Sequence, residues 1–266
     1  MLRIKLHRSR LVRALGAILA VLVFLHLMVA FCHMVLHIRV GALTQLVDMD
    51  MESNLPTFFN ALLFFIAAAL FHVHGRSSAR SERWGWFLMV ALFIFLGFDE
   101  GSQIHEKFGS FTMRLLSRSD MDQGTLAWLR NGWIIPYAAA VVALVLTLGR
   151  WFLRLEPLLR RGLLISGAVY VAGAIGFEMA GSKVGWTFTP QDSSLFPWMP
   201  CELYNDPSSC WLFMEPAYLF ACTMEETLEM TGLILCIHFL MRQFERKGQQ
   251  LVLSLEEERP EQGSRQ

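Results

Sequence analysis

Charge is scarce in this chain. Only 17% of its 266 residues are Asp, Glu, Lys or Arg, and 23 acids cancel 23 bases. Without a basic excess there is no electrostatic platform for nucleic acid. No phosphate-cradling Gly-rich loop, nucleophile elbow or haem-attachment motif occurs. The five cysteines include no CxxC pair. His105-Glu106 is followed by Lys107, Phe108 and Gly109, so the HExxH zinc motif is broken. The Glu-x-x-His pairs of di-iron bundles are missing among the acids discussed below, and nothing matches the HxxxH-bearing membrane hydrolases. What the chain has is apolar sequence, 54% of it, which is membrane composition.

The apolar stretches predict an all-α polytopic bundle with six spans, at about 12–36, 57–75, 84–105, 131–151, 162–182 and 215–241. The first follows Arg3, Lys5, Arg8, Arg10 and Arg13 but is too long for a signal peptide, and it is read as a retained span. Seventeen of the Lys and Arg residues fall on one set of span ends and in the tail, and six on the opposite ends. By the positive-inside rule both termini are expected in the cytoplasm. One membrane domain over 1–245 is expected, then a disordered cytoplasmic tail over 246–266. The 183–214 loop, with its Trp and Pro residues, is expected to form an external cap, in which Cys201 and Cys210 are a plausible disulfide. Cys32, Cys222 and Cys236 lie in apolar spans as packing residues. Trp84, Trp86, Trp128, Trp133, Trp151, Trp186 and Trp211 suit interfacial belts.

Three apolar runs stop short of the roughly 20 residues a span needs. Trp84–Phe98 ends at Asp99-Glu100, Gly162–Phe177 ends at Glu178, and Met230–Met241 follows Glu225, Glu226 and Glu229. Each helix must carry carboxylates into the bilayer, where ionisable groups are costly and are functional candidates by default. Counted from Arg83, Arg161 and Arg242 at 1.5 Å per residue, Asp99, Glu178 and Glu226 all sit about 25 Å above the cytoplasmic edge. On a continuous third helix Asp99, Ser102, Gln103 and Glu106 share a face, with Glu100 beside it and His105 towards the other side. Glu225, Glu226 and Glu229 share a face of the sixth. Converging carboxylates raise one another's pKa, so they share protons or hold a cation. The alternative is an interfacial one: acids suit a helix N-terminus, which fits Glu225 and Glu226 but not Glu178.

The remaining polar residues have blander readings beside sharper ones. Asn54 or Thr57 caps the second span, with Pro56 in its first turn, and Asp48, Asp50 and Glu52 are either a solvated face or the approach to the acids. His26, His33 and His37 form a stripe that either relays protons or packs. His72 and His74 are expected at the interface, and His238 in the core. Gly173, Gly176, Gly181 and Gly232 permit close helix approach. A short echo links Phe177-Glu178-Met179-Ala180-Gly181 with Leu228-Glu229-Met230-Thr231-Gly232, too weak to establish an internal repeat.

At Asp99-Glu100-Gly101-Ser102-Gln103-Ile104-His105-Glu106 the chain resembles a group of uncharacterised bacterial polytopic membrane proteins with a similar acid, Ser and His-Glu stretch at a span end. The Glu52-x-Asn54-Leu55-Pro56-Thr57 start of the second span and the Glu225-Glu226-x-x-Glu229 stretch are also similar. The resemblance implies a six-span layout and supplies no activity. The expected site is Asp99, Glu100, Ser102, Gln103, His105, Glu106, Glu178, Glu225, Glu226 and Glu229, open to the external face. Asp99, His105, Glu106, Glu178 and Glu229 are the candidate ligands for a divalent metal ion. The leading expectation is handling or transport of a cation or proton-coupled small solute across a bacterial inner membrane. A metal-dependent enzyme acting on a lipid-type substrate and a membrane assembly factor are the alternatives. The expected partners are the lipid bilayer, a small cation or solute and further copies of the chain.

Overall fold

The computed structural model describes residues 2–116, 118, 124–125, 132–187, 201, 212 and 214–255. The fold is helical. Helix α1 spans Arg8–Met34, α2 Gly41–Val47, α3 Leu55–Ser77, α4 Arg83–Ser102, α5 Ile104–Leu116 and α6 Ile134–Arg154. Helix α7, Pro157–Val171, runs through a π-helical turn at Ala172–Phe177 into α8, Glu178–Thr187, and α9 spans Pro216–Arg246. Among the described residues five helices are long and apolar enough to cross a membrane: α1, α3, α4, α6 and the rod Pro157–Gly185. Helix α9 is longer than any of them, but its carboxylates interrupt its apolar character.

Helix α9 is the centre of the bundle. It packs on the α7 rod, on α3 and on α1, while α3 and α4 form the most extensive helix pair. Leu63, Phe64 and Phe71 of α3 meet Met230, Ile237 and Leu240 of α9 in a core that excludes solvent. Strands β1, Leu2–Lys5, and β2, Val252–Leu255, pair antiparallel, so the two ends of the described chain lie side by side. The tail therefore holds a strand in its first part; residues 256–266 lie outside the described residues.

Several local expectations change. Asn54, not Thr57, caps α3: its Oδ1 accepts from the Thr57 N–H at 3.2 Å. Trp86 and Trp151 are buried and pack edge to face at 5.1 Å, because α4 and α6 meet there; they are not belt residues. Trp84 is exposed, as a belt requires. Trp128 and Trp211 lie outside the described residues, as does the side chain of Trp186. His74 is also buried, stacked between Trp86 and Phe244, with Nε2 donating to the Leu240 carbonyl at 3.1 Å. The histidine stripe does not form, since α1 ends at Met34 and His37 is exposed with φ 54°. His26 and His33 are buried hydrogen-bonding residues. The Met49 N–H donates to His26 Nδ1 at 3.1 Å, and Thr223 Oγ and Thr44 Oγ partner the Nε2 atoms of His26 and His33 at 3.2 and 2.9 Å.

Cys201 is disulfide-bonded. Cys210, its expected partner, lies outside the described residues, as does most of the 183–214 loop.

Candidate functional site

Helix α4 does not continue through His105. Gln103 takes φ 54°, a left-handed conformation that ends the helix, and α5 starts in a new direction at Ile104. The single helical face drawn through Asp99, Ser102, Gln103 and Glu106 is therefore broken. Ser102 is exposed and donates back to the Phe98 carbonyl, and neither it nor Gln103 reaches the site. Asp99 organises the break. Its Oδ1 accepts the His105 N–H at 2.8 Å and lies 3.4 Å from His105 Nδ1, while its Oδ2 accepts from the Tyr137 hydroxyl at 2.5 Å. The carboxylate thus caps α5, aims the imidazole and ties α6 to α4.

The acids converge on one cavity of about 1480 Å³. Its acidic end is lined by Asp50, Glu52, Asp99, Glu100, Glu106, Glu178, Glu225, Glu226 and Glu229, with His105. No Lys or Arg lines it among the described residues. Asp50 and Glu52 are thus part of the approach rather than a solvated face. The remaining wall is apolar and runs along α4, α6 and α7.

Two close helix approaches bring the acids together. A side chain at Gly173 would lie 2.6 Å from the Glu225 carbonyl, and one at Gly232 would lie 2.8 Å from the Tyr170 backbone nitrogen. Only glycine lets the α7 rod and α9 meet there. Gly176 faces open space and Gly181 has ordinary contacts only, so neither serves this purpose. The π-helical turn ends at Glu178, which is thereby carried into hydrogen-bonding contact with Glu225.

A residue that the sequence reading missed sits among them. Asn60 of α3 is fully buried, and its Nδ2 donates to Glu100 Oε1 at 3.0 Å and Glu229 Oε2 at 3.4 Å. Tyr170 lines the same cavity, and the Tyr218 hydroxyl donates to Asp50 Oδ1 at 2.8 Å. Asn60 and Tyr170 are polar groups inside apolar spans, which is the signal that would have found them.

Outside the spans the protonation balance is shifted. Burial raises Asp50 to about 7, helped by the neighbouring Asp48 charge and opposed by the Tyr218 hydrogen bond. Burial likewise raises Glu52. At His105 burial opposes the charge, but the hydrogen bond and charge of Asp99 outweigh it and, with Glu52 and Glu100, lift the imidazole to about 9.

The metal-ligand expectation is redistributed. Glu52, His105 and Glu106 each offer a ligand atom, all within 4.8 Å of one another. Asp99, Glu178 and Glu229 are not in that group. Asp99 instead stands behind His105, as a carboxylate stands behind a ligating histidine.

A helical fold with five membrane-length apolar helices among its described residues and a buried acidic cavity is of the membrane-protein class by length and composition. The chain belongs to the family described as a domain of unknown function (DUF8692), whose model matches residues 12–244. No curated protein and no solved structure matches the chain.

Proposed function

We propose that this is a six-span protein of a bacterial inner membrane that takes cations into its acidic cavity from the external side and couples them to movement of a small solute. The sixth span is α9. The pairing of β1 with β2, together with the Arg8–Glu245 ion pair at 2.8 Å, supports an even number of crossings, because an odd number would part the two ends. The basic bias of those ends supports a cytoplasmic location. The observation that carries the functional reading is the lining itself: nine carboxylates and one imidazole, with no Lys or Arg among the described residues, around one cavity. Such a cavity requires positive charge from outside the chain, as protons or as metal. Asn60, holding a carboxylate from α4 and one from α9, is the link through which loading one acid affects the other. Proteoliposomes test this: a pH gradient is expected to drive proton uptake in the unaltered protein and not in Glu229→Gln. Equal uptake in liposomes with and without protein would end the proposal.

A second reading has its own support. Glu52, His105 and Glu106 have the spacing of a metal site, with Asp99 orienting the imidazole. A divalent ion held there would supply a Lewis acid beside an apolar wall, as a metal-dependent enzyme acting on a lipid-type substrate needs. Metal content of the purified protein, and product formed without any gradient, distinguish this reading from transport.

A further inference from the structure

The cavity is larger than a small cation or solute needs. Ordinary ligand pockets occupy about 300–1,000 Å³, and this one holds about 1480 Å³. It also has two unlike ends. Tyr137, bonded to Asp99, marks the acidic end, and Trp151, on the same helix, lines the far apolar end. Fourteen residues of α6 separate them, or about 21 Å at 1.5 Å per residue. That exceeds half the roughly 30 Å hydrocarbon core.

The apolar arm opens sideways. Phe95, Val141, Val145, Leu164 and Val171 line the cavity and are also exposed, so the cavity is open along them. In a membrane that surface faces lipid. Helices α6 and α7 both line the cavity, follow each other in the chain and barely touch. At the acidic end, two buried polar atoms have no hydrogen-bond partner among the described residues. Ser182 Oγ is on the cavity wall, and Asn60 Oδ1 is beside Glu100 and Glu229. Buried polar atoms left without partners are costly, and a donor-bearing ligand would satisfy them.

We propose that this cavity takes a lipid-type amine from the bilayer through the gap between α6 and α7, with its tail in the apolar arm and its ammonium group among the carboxylates. The inference rests on the cation-accepting cavity described above and names its ligand. An ammonium supplies both the missing positive charge and an N–H donor for Ser182 Oγ on the cavity wall. An anionic head such as a phosphate or carboxylate would meet repulsion from the same lining.

The test uses the full chain in nanodiscs of neutral lipid doped with a long-chain primary amine that carries a photoactivatable group mid-tail. The carboxylic acid with the same tail serves as the comparison. Gly149 and Gly167 line the arm with nothing within 4 Å of an added Cβ, so Gly149→Phe and Gly167→Phe are the variants chosen to plug it. Gly176 is equally open but lies off the cavity, so Gly176→Phe is the control for added bulk. The amine is expected to label the α6 and α7 walls about tenfold more than the acid. That labelling should be lost in Gly149→Phe combined with Gly167→Phe and kept in Gly176→Phe. Equal labelling by amine and acid, labelling unchanged by the plugged arm, or equal loss in the control would each overturn the inference. If gradient-driven proton uptake persists when the amine fails, only the ligand assignment falls. If both vanish together, the cation reading falls with it.

Discussion

Two regions of this bundle use the same kind of residue in opposite ways. Where α3 meets α9, Leu63, Ile237 and Leu240 are packed to exclusion. Along α6 and α7, Val141, Val145 and Leu164 are just as apolar, yet they border space and the outer surface. The first region fixes helix positions; the second leaves room beside the acids. Apolar sequence alone does not separate the two, because lipid and core are equally apolar surroundings for a side chain. The separation comes from what the neighbouring helix offers: α9 presents glycine to α7 at Gly232, whereas α6 makes no comparable approach to α7.

The sharpest way to break the comparison is to neutralise the acidic end. Glu229→Gln is expected to lower gradient-driven uptake by at least about tenfold, since it removes a buried carboxyl that lines the cavity and is bonded to Asn60. Thermal unfolding in detergent should change little by comparison. On the packed side, Leu240→Ala should cost about 2–5 kcal/mol, because it opens a cavity at a fully buried position. Val145→Ala, facing space already, should stay within about 0.5 kcal/mol of the parent in the same unfolding measurement.

Acidity should sharpen it next. Asp50 is raised from 3.8 to about 7, so the folded state holds its proton longer than the unfolded chain does. The folded state is therefore favoured at low pH, and stability falls as pH rises from about 4 to about 7. His105 is raised from 6.5 to about 9; its contribution is full below 6.5 and lost as pH rises through about 9. The unfolding temperature should thus fall from acid to alkaline pH. Asp50→Asn should flatten the lower limb and His105→Gln the upper one. A temperature that rises across this range would contradict the burial assigned to Asp50 and the Asp99 pairing assigned to His105. The smallest effect belongs to Gln103→Gly, which relieves a left-handed φ of 54° and should stabilise the fold by about 0.5–1 kcal/mol without altering uptake.

Much of this architecture was legible in advance. The starts of α3 and α4 follow from Asn54-Leu55-Pro56 and from Arg83, and counting residues above the last basic ones gives Asp99, Glu178 and Glu226 a common depth, though not the direction in which they point. What failed to show was anything decided by backbone departures from a regular helix. The left-handed Gln103 turned Glu106 away from the α4 face and towards Glu52, and the π-helical turn re-aimed Glu178. Helix α5 was read as loop, although Phe108, Phe111 and Leu115, at spacings of three and four and all exposed, mark an amphipathic helix of the kind that lies along a membrane surface. Trp86, Trp151 and His74 were assigned to the interface by residue type, and the stack they make with Phe244 could not be read from their positions in the chain.

The central claim is that carboxylates from separate helices share one enclosed space, and the most direct measurement is a cross-link between the π-turn and α9. Glu178→Cys combined with Glu225→Cys, with the native cysteines outside the disulfide replaced by alanine, should be bridged in membranes by a short bis-methanethiosulfonate reagent as fast as any surface pair. Neither single variant should cross-link within the chain. If the double variant stays unbridged while each cysteine reacts freely with a small monofunctional reagent, the two acids face different surroundings and the shared cavity does not exist.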